Sequence, residues 1–524
     1  MITTRREIWS LETRGDGWSD TLEWYARAVA VLQERPITDR TSWRFLAAMH
    51  GIIEQRWRDF GIIRPGESLP DADEQALFWN QCQHSSWYFL PWHRGYLSSF
   101  ERIVRKAVVG LGGPEDWALP YWNYNKPAAP EEIRLPPCFQ SPTLPNGGRN
   151  PLHSDRRYGI RADGSFARIA ESDRDIVTAL SDEDFEGIDQ GIHAGFGGPV
   201  TGFNHLEGNN GLLERTPHGI LHVRIGGQTD GPNPDMPIRG LMSSVKTAGL
   251  DPVFWIHHAN IDRLWEVWLK RKPGLHRNPD AADWLNGPGA MERQFVVPDT
   301  DGGSLRFAPR DMLDTRAPHL GYEYDDTSDP LGGLMRFERR LFRLGVAEEE
   351  RTRLASMEKV MKKRRTAELM GANDTPIRLG AQPVSARLDV DGATALRFRG
   401  SFERDLLAEG WDAEPDRVFL NLENVRGRNE AAVFKVFVSI DGRDGAAPAD
   451  HEVGAFSMFG IEDHLDRHDP NGMDVVFEIT HILEAAGVAS DELARLHVRI
   501  EPDYEVYGED DVSVGRIGLY RQGR

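Results

Sequence analysis

Histidines spaced one helical turn apart are the feature that most constrains how this chain can fold. His218 and His222 are four positions apart, so a helix places both imidazoles on one face. Two imidazoles on one face suit two ligands of a single metal ion. Gly219 stands where a zinc hydrolase of the H-E-x-x-H type carries its general-base glutamate. The pattern therefore predicts a helical metal centre and argues against hydrolytic zinc chemistry.

A second histidine pair follows in an apolar, helix-like stretch, where His257 and His258 are adjacent. Neighbouring residues on a helix point about 100° apart, so we expect only one of the two to face a metal ion. Asp262 lies one turn beyond His258. Its carboxylate is placed to accept the second ring N–H of that histidine or to orient a neighbouring side chain.

Two further histidines lie upstream, on either side of Pro91. Proline is tolerated in the first turn of a helix and excluded from its interior. A new helix therefore starts near Pro91 and carries His93, while His84 approaches from the preceding segment. Glu101 is two turns beyond His93 on the same side, which makes it a candidate acceptor for the ring N–H of a metal ligand. His50 is a further inward-facing histidine on an amphipathic segment.

Hydrophobic periodicity divides the chain into a helical part and a strand-rich part, an α+β multidomain organisation. Helical patterns in a first domain of residues 1–344 run over 20–34, 43–60, 91–109 and 260–270. A charged helix is predicted as a linker over 345–375. An antiparallel β-sandwich is predicted over 376–524, with strands at 418–422, 433–440, 496–500 and 512–520 and one short helix near 481–486.

Composition excludes several classes of protein. With 62 basic and 82 acidic residues the formal charge is −20, which argues against a nucleic-acid or anionic-membrane partner. Two cysteines cannot supply a disulfide framework. No apolar stretch follows the basic residues at the start, so we expect no signal peptide and a cytoplasmic protein. No apolar run approaches the roughly 18 residues of a membrane span, and nothing predicts the oligomeric state.

The histidine segments resemble the two copper-binding signatures of the tyrosinase, catechol oxidase and molluscan haemocyanin superfamily. The resemblance is carried by CQHSSWYFLPWHRGYLSSFE at 82–101, PHGILHVRIGG at 217–227 and DPVFWIHHANIDRLW at 251–265. It covers roughly residues 20–340 and implies a helical domain with a four-helix core, long loops and two copper ions. The implied ligands are His50, His84 and His93 for copper A, and His218, His222 and His258 for copper B. His257 is then a neighbour of the site.

The resemblance implies a phenol oxidase that uses O2 as a co-substrate. Six neutral imidazoles fit this chemistry, because imidazole suits copper in either oxidation state. The implied reaction converts small o-diphenols or o-aminophenols to o-quinones, and hydroxylation of monophenols is a further activity of the family. The alternative is a haemocyanin-like reversible oxygen carrier with the same six histidines, and a structural zinc protein is a third interpretation. A single unit, rather than several, favours the enzyme.

Further roles near the copper ions are also implied by the resemblance. Cys82 is a candidate for a thioether to the His84 ring, and the alternative is a small buried thiol. Glu214 matches a water-holding glutamate of the family, and Glu207 is a weaker candidate. Gly219 stands where clear monophenol hydroxylases often carry asparagine, which argues against hydroxylation.

Three more positions bear on the substrate. Phe254 matches a ring that lines the substrate pocket, and Val245 falls where some members carry a bulky gate, so its small side chain predicts open access. The segment LPYWNY at 119–124 resembles the family's PYWDW but has Asn123 and Tyr124 where aspartate and tryptophan are usual.

The strand-rich region resembles the β-domain that follows the catalytic domain in plant polyphenol oxidases and haemocyanins. In those relatives the domain covers the copper mouth and inserts one side chain, and here the candidates are Phe456, Met458 and Phe459. The alternative is that all three belong to the sandwich core. The resemblance also suggests a latent enzyme that is released when this domain shifts or is cut within 345–375.

Overall fold

The computed structural model describes residues 1–14, 17–125, 133–161, 163–166, 170–187, 192–203, 209–231, 237–272, 275–288, 294–332, 348, 367–396, 416–440, 449–461, 472–486, 496–503 and 512–523. The chain divides into two compact units. Unit 1 comprises Met1–Ile176, Thr201–Leu206 and Thr216–Ser328, and unit 2 comprises Val177–Val200, Glu207–Arg215 and Asp329–Arg524.

Helices dominate the described part of unit 1. Numbered along the chain, the described helices are α1 (Asp20–Glu34), α2 (Trp43–His50), α3 (Glu54–Asp59), α4 (Ala72–Phe78), α5 (Phe89–Gly110), α6 (Pro137–Gln140), α7 (Val177–Ser181), α8 (Ile220–Gly226), α9 (Val245–Ala248), α10 (Pro252–Arg271), α11 (Ala282–Asn286) and α12 (Thr480–Ala485). Of these, α7 and α12 belong to unit 2.

Strands dominate the described part of unit 2. The described strands are β1 (Thr3–Arg5), β2 (Gln228–Thr229), β3 (Ile238–Arg239), β4 (Phe295–Pro298), β5 (Ser304–Phe307), β6 (Tyr322–Tyr324), β7 (Ala367–Ala372), β8 (Ile377–Leu379), β9 (Val384–Arg387), β10 (Asp389–Val390), β11 (Arg417–Arg426), β12 (Val433–Ile440), β13 (Ala449–Ser457), β14 (Met473–Glu478), β15 (Leu496–Pro502) and β16 (Val512–Gln522). The first six form three two-stranded pairs in unit 1, β1–β6, β2–β3 and β4–β5.

Helix α5 forms where the helical pattern at 91–109 and Pro91 predict it. Pro91 lies in its first turn, where a missing backbone N–H costs nothing. Four side chains on the inward face of the helix are buried: His93, Leu97, Phe100 and Val104. The predicted helix at 20–34 is likewise confirmed as α1.

The segment predicted as helical over 43–60 forms two helices, since α2 ends at His50 and α3 begins at Glu54. Ser42 caps its start, where the hydroxyl accepts a hydrogen bond from the Phe45 N–H at 3.1 Å. After the last turn the chain passes close to α9, and a Cβ at Gly51 would lie 3.0 Å from the Val245 carbonyl oxygen. Glycine allows this close approach, which brings His50 against the backbone of α9.

Helix α10 starts well before the predicted segment at 260–270. Asp251 caps it by accepting a hydrogen bond from the Val253 N–H at 2.9 Å, and Pro252 occupies the first helical position. Its first turns are buried on every side, so they lack the polar face that marks an amphipathic helix. Lys270 and Arg271 in the last turn complement the helix dipole.

Two antiparallel sheets make the sandwich of unit 2. One has the strand order β10-β7-β16-β11-β14, with β8 also paired to β16, and the other has the order β13-β12-β15-β9. In β15, Leu496, Val498 and Ile500 are buried, while His497 and Arg499 are partly exposed, as their alternation predicts. The inner faces share one apolar cluster. The helical domain followed by an antiparallel β-domain is therefore confirmed.

The sandwich begins earlier than the predicted boundary at residue 376. Strand β7 lies within the range assigned to the linker and pairs with β16, with Leu369 opposite Tyr520. The last part of the predicted linker is thus a sheet strand, since its backbone groups are used by a neighbouring strand. Apart from Glu348, which is helical, the earlier part of the predicted charged helix lies outside the described residues.

Two of the three lid candidates are core residues of the sandwich. Phe456 packs on Phe434 with 5.4 Å between ring centroids, and Met458 is fully buried in the same apolar cluster. Their burial within unit 2 corrects the lid assignment for these two residues and follows the alternative. Phe459 is buried but outside that cluster, and its role as a lid stays a prediction.

Among the described helices, none is both long enough and apolar enough to cross a lipid bilayer.

Candidate metal centre

Six histidines predicted as ligands meet in the interior of unit 1. Helix α2 ends with His50, α5 carries His93 in its second turn, and α10 carries His258. His84 comes from the segment before α5, and His218 and His222 come from the turn before α8 and from α8 itself. All six are at most 3 % exposed: His50, His84, His93, His218, His222 and His258.

The six rings form the two triads that the resemblance implies. In the first, the His50 ring centroid is 5.2 Å from that of His84 and 5.7 Å from that of His93. In the second, the His218 centroid is 4.6 Å from that of His222 and 4.9 Å from that of His258. The triads adjoin each other, since the centroids of His84 and His218 are 5.8 Å apart.

Backbone carbonyls orient three of the ligands. The Nδ1–H of His50 donates to the Val245 carbonyl at 2.9 Å, that of His93 to the Phe89 carbonyl at 2.8 Å, and that of His222 to the Met242 carbonyl at 3.0 Å. A carbonyl only accepts, so each contact places the proton on Nδ1 and leaves a lone pair on Nε2.

The lone pairs face the interior of the cluster. Nε2 of His50 and Nε2 of His93 are buried and have no hydrogen-bond partner among the described atoms. Nε2 of His222 and Nε2 of His258 lie 3.2 Å apart. Buried nitrogens in this arrangement can bind a cation between them, and neutral imidazoles suit copper. The donor set therefore fits the implied metal.

Electrostatics keep these imidazoles in the metal-binding form. Burial lowers the pKa of His50 to about 3. Burial, and then the neighbouring imidazoles, lower the pKa of His93, His218, His222 and His258 well below the ordinary value. A neutral imidazole is the form that binds a metal ion.

In the described part of the chain, neither of the two acidic residues accepts the N–H of a ligand histidine, and Asp262 instead holds neighbouring side chains, the other role that its position predicts. Asp262 accepts hydrogen bonds from Arg94 at 2.6 Å, Arg5 at 3.2 Å, and the Tyr322 and Tyr324 hydroxyls, both at 2.6 Å. Nδ1 of His258, the expected partner, has none among the described atoms. Burial acts to raise the pKa of Asp262, but Arg94 and Arg5 outweigh burial and lower it.

Glu101 is likewise paired with arginines rather than with a histidine. Its carboxylate accepts from Arg5 at 2.7 Å and from Arg105. Arg5 is fully buried, so it needs an anionic partner more than a neutral imidazole does. The sequence pattern does not show that arginines compete with a histidine for Glu101, because no motif marks the arginines as buried.

Cys82 lies beside two of the predicted copper A ligands, His84 and His50. Its Sγ is 3.4 Å from Nδ1 of His84 and 2.7 Å from the His50 carbonyl oxygen. The thiol is fully buried, as either of the two sequence interpretations requires. The thioether stays a prediction.

The substrate-side residues are placed as follows. The Phe254 ring packs against copper ligands, with its centroid 4.8 Å from that of His50 and 4.1 Å from that of His258. Val245 is 1 % exposed and its carbonyl holds His50, and the open access that its small side chain predicts stays a prediction. Gly219 precedes α8, and Glu214 is buried at the start of the turn that leads to it. Glu207 lies outside the described residues.

His257 lies closer to the site than expected. One of its ring nitrogens is within 4.8 Å of ring nitrogens of His218, His222 and His258. An angle of about 100° along a helix still lets two long side chains converge on a point beside it. Nδ1 of His257 faces the Tyr124 hydroxyl at 3.0 Å. The signal for this contact was in the sequence, where tyrosine replaces the usual tryptophan of the motif.

Comparisons with known proteins agree with this geometry. Residues 40–271 match the common central domain of tyrosinase, and residues 366–522 match a domain of unknown function, DUF7868. The chain is 30% identical over 539 residues to the tyrosinase HcTyr1 of Hahella sp. (strain CCB-MM4), covering 99% of this chain and 100% of that protein.

A plant protein and two solved structures extend the comparison. The chloroplastic polyphenol oxidase of Spinacia oleracea is 27% identical over 329 residues, which is 59% of this chain and 46% of that protein. The structure of a recombinant latent aurone synthase (polyphenol oxidase) covers 100% of this chain and 90% of its own, with a TM-score of 0.59 and 19% identity. Latent apple tyrosinase covers 100% and 97%, with a TM-score of 0.56 and 19% identity. The two structures share the fold.

Proposed function

The chain belongs to the tyrosinase family of dicopper oxidases, and from this membership we propose that it oxidises o-diphenols to o-quinones, or o-aminophenols to o-quinone imines. In this reaction two diphenols each give up two electrons and two protons, and one O2 takes them up to form two water molecules. The bound copper pair supplies the O2 site and the change of oxidation state.

The observation that supports the proposal most is the pair of buried histidine triads. His50, His93 and His222 each turn Nε2 towards the interior because a carbonyl holds Nδ1. The metal clusters found among the described residues contain histidines and Cys82 but no carboxylate. A neutral ligand set leaves both copper oxidation states accessible, as an oxidase that cycles between them requires.

Aromatic packing holds the ligands where the chemistry needs them. Phe254 contacts one histidine of each triad. Such contacts restrict ring rotation, so the copper positions are set before the substrate binds. Gly219 places no side chain beside His218, and we propose that hydroxylation of monophenols is therefore slow compared with oxidation of diphenols.

Paired assays on copper-loaded protein test the proposal. O2 uptake should follow the addition of catechol, DOPA or 2-aminophenol, while tyrosine should give a slow rate after a lag. The inactive control is His93→Ala, and the matched control is His276→Ala. His276 is also buried but stacks on Trp268, outside both triads.

Two outcomes would overturn the assignment. Protein that holds two copper ions and binds O2 reversibly, without consuming it in the presence of catechol, is an oxygen carrier. Protein that retains zinc and takes up no copper is a structural zinc protein. A normal rate on tyrosine without a lag contradicts the role given to Gly219 and leaves the diphenol reaction standing.

A further inference from the structure

His257 differs from His50, His93 and His222 in the partner of its Nδ1. His50, for example, faces the Val245 carbonyl, which can only accept a hydrogen bond. His257 faces the Tyr124 hydroxyl at 3.0 Å, and a hydroxyl can donate or accept. The position of the His257 proton therefore depends on the other bonds of that hydroxyl.

A chain of side chains fixes the direction of this bond. Arg263 donates from Nε to Oδ1 of Asn260 at 3.1 Å. A guanidinium has no acceptor, so the amide oxygen of Asn260 faces Arg263 and the amide N–H is left to donate. Nδ2 of Asn260 lies 3.5 Å from Oδ1 of Asn125. Burial raises the pKa of the Tyr124 phenol, and the Asn260 side chain acts in the opposite direction, as a nearby N–H donor does.

The Tyr124 hydroxyl then has one proton and one remaining partner, Nδ1 of His257. Tyr124, Asn260 and His257 are fully buried, and Arg263 is 3 % exposed, so bulk water does not compete for these groups. Among the described atoms, the acceptor that the Tyr124 O–H meets is Nδ1 of His257, at 3.0 Å. Nδ1 of His257 accepts, and in a neutral imidazole the proton is then on Nε2.

This proton faces the copper B cluster. One ring nitrogen of His257 lies within 4.8 Å of those of His218, His222 and His258, and Nδ1 is occupied by Tyr124. Nε2 has no hydrogen-bond partner among the described atoms. A nitrogen that carries a proton has no lone pair for a metal ion, so the tautomer separates His257 from the neighbouring His222, whose proton is on Nδ1.

We propose that His257 donates a hydrogen bond from Nε2 to the phenolate oxygen of a substrate bound at the copper B side. Tyr124 is the positioning residue that gives His257 this role. The donor stabilises the deprotonated oxygen of a diphenol next to the metal. The role towards phenol rests on the proposed function, whereas the tautomer of His257 does not.

The tautomer is measured on metal-free protein labelled with 15N-histidine. Long-range 1H–15N NMR distinguishes the two neutral forms of each ring, and loss of one signal set in His257→Gln identifies His257. We expect Nε2–H for His257 and Nδ1–H for His50, His93 and His222. An Nδ1–H form of His257 in the unmodified protein would overturn the inference and make it a candidate copper ligand.

Variants of the hydrogen-bond chain test what sets the tautomer. Tyr124→Phe removes the donor, and Asn260→Asp replaces an N–H by an acceptor that captures the Tyr124 proton. In either variant the Nε2–H form should cease to be the dominant form of His257. The second variant keeps the test open if the first fails to fold, and an unchanged tautomer in both would refute the role of Tyr124.

Azide binding tests the donor role without any phenol. In copper-loaded Tyr124→Phe, copper stoichiometry should stay at two, and azide affinity, followed by its charge-transfer absorption, should fall about 10-fold. The matched control is Tyr25→Phe, which removes a buried hydroxyl that donates to the Pro252 carbonyl, and its azide affinity should not change. An unchanged azide affinity in Tyr124→Phe, despite a changed tautomer, would refute the donor role.

Discussion

The rings of His93 and His258 lie nearly parallel, with 4.5 Å between their centroids and 14° between their planes. One belongs to each triad, and they are carried by α5 and α10. Packing of these two helices therefore fixes the separation of the two metal positions. The six histidines form a single dinuclear centre rather than two independent sites.

Removal of one histidine from either triad should abolish the activity of the whole dinuclear centre. We expect His258→Ala to lower copper stoichiometry from two towards one and to lower the rate on catechol by about 100-fold or more, because a ligand is lost outright. The measurement is copper analysis by atomic absorption alongside O2 uptake.

The adjacent variant, His257→Ala, is the natural control for this experiment. It should keep two copper ions, since the proton on Nε2 excludes His257 from the ligand set. Equal copper loss in the two variants would contradict the assignment, in which His258 is a copper ligand and His257 is not.

Metal-free protein should lose stability as the solution becomes acidic. Burial lowers the pKa of His50 and of His257 from 6.5 to about 3 in the folded protein. Below pH 6.5 the unfolded chain takes up protons that the folded chain does not, so stability is complete above 6.5 and falls between 6.5 and 3. Each such histidine should cost about 2 kcal/mol between pH 6.5 and pH 5.

Urea unfolding of the metal-free protein at a series of pH values measures this loss. Copper-loaded protein is the reference, because bound metal holds the imidazoles neutral until protons displace it. A free energy of unfolding that stays constant from pH 7 to pH 5 would show that the histidines titrate at ordinary values.

The thioether prediction is tested by mass. Sγ of Cys82 is 3.4 Å from Nδ1 of His84, close enough for a bond to the ring after a small rotation. Copper-loaded, oxygen-exposed protein should yield a cross-linked peptide that is lighter by two hydrogen atoms, and Cys82→Ser should not.

Cys138 provides an internal control for this test. Burial raises the pKa of its thiol, so it stays unreactive in the folded protein. After denaturation, alkylation should label Cys138 alone if the thioether has formed. Labelling of both cysteines in active enzyme would rule out the cross-link.

Asp262 should matter for stability and not for copper binding. Its carboxylate compensates the buried guanidinium groups of Arg94 and Arg5. Asp262→Asn should lower the free energy of unfolding by about 3–5 kcal/mol, because it leaves buried charge without its partner. The folded fraction should retain two copper ions.

Glu266 provides the matched control for Asp262. It also pairs with Arg94, at 2.8 Å, but its side chain is 15% exposed. Glu266→Gln should lower the free energy of unfolding by less, since Arg94 still pairs with Asp262. Selective copper loss in Asp262→Asn, with unchanged stability, would restore the role in ligand orientation that the sequence predicted.

The full set of six histidines followed from the resemblance to the copper-binding signatures, whereas helical spacing and a proline constrain only part of its geometry locally. His218 and His222 share a helix face by their spacing, and Pro91 separates His84 from His93 in a way that any chain must obey. The alternating strand β15 was predictable for the same reason, since neighbouring residues decide it.

The features that could not be predicted from the sequence depend on contacts between residues far apart in the chain. Asp262 pairs with Arg5, which lies 257 positions away, and no local pattern shows that the arginine is buried. The end of α2 at His50 depends on the close approach of α9, and the edge of the sandwich at β7 depends on pairing with β16. Such contacts are decided by tertiary packing.

The carbonyls that hold His50, His93 and His222 have a consequence for how this centre changes over evolutionary time. A main-chain oxygen is present whatever side chain occupies positions 245, 89 and 242. Substitutions there can reshape the surroundings of the copper pair, and hence the choice of phenol, while the acceptors stay in place. The proton positions of these ligands are inherited through the path of the backbone, and they change only when that path does.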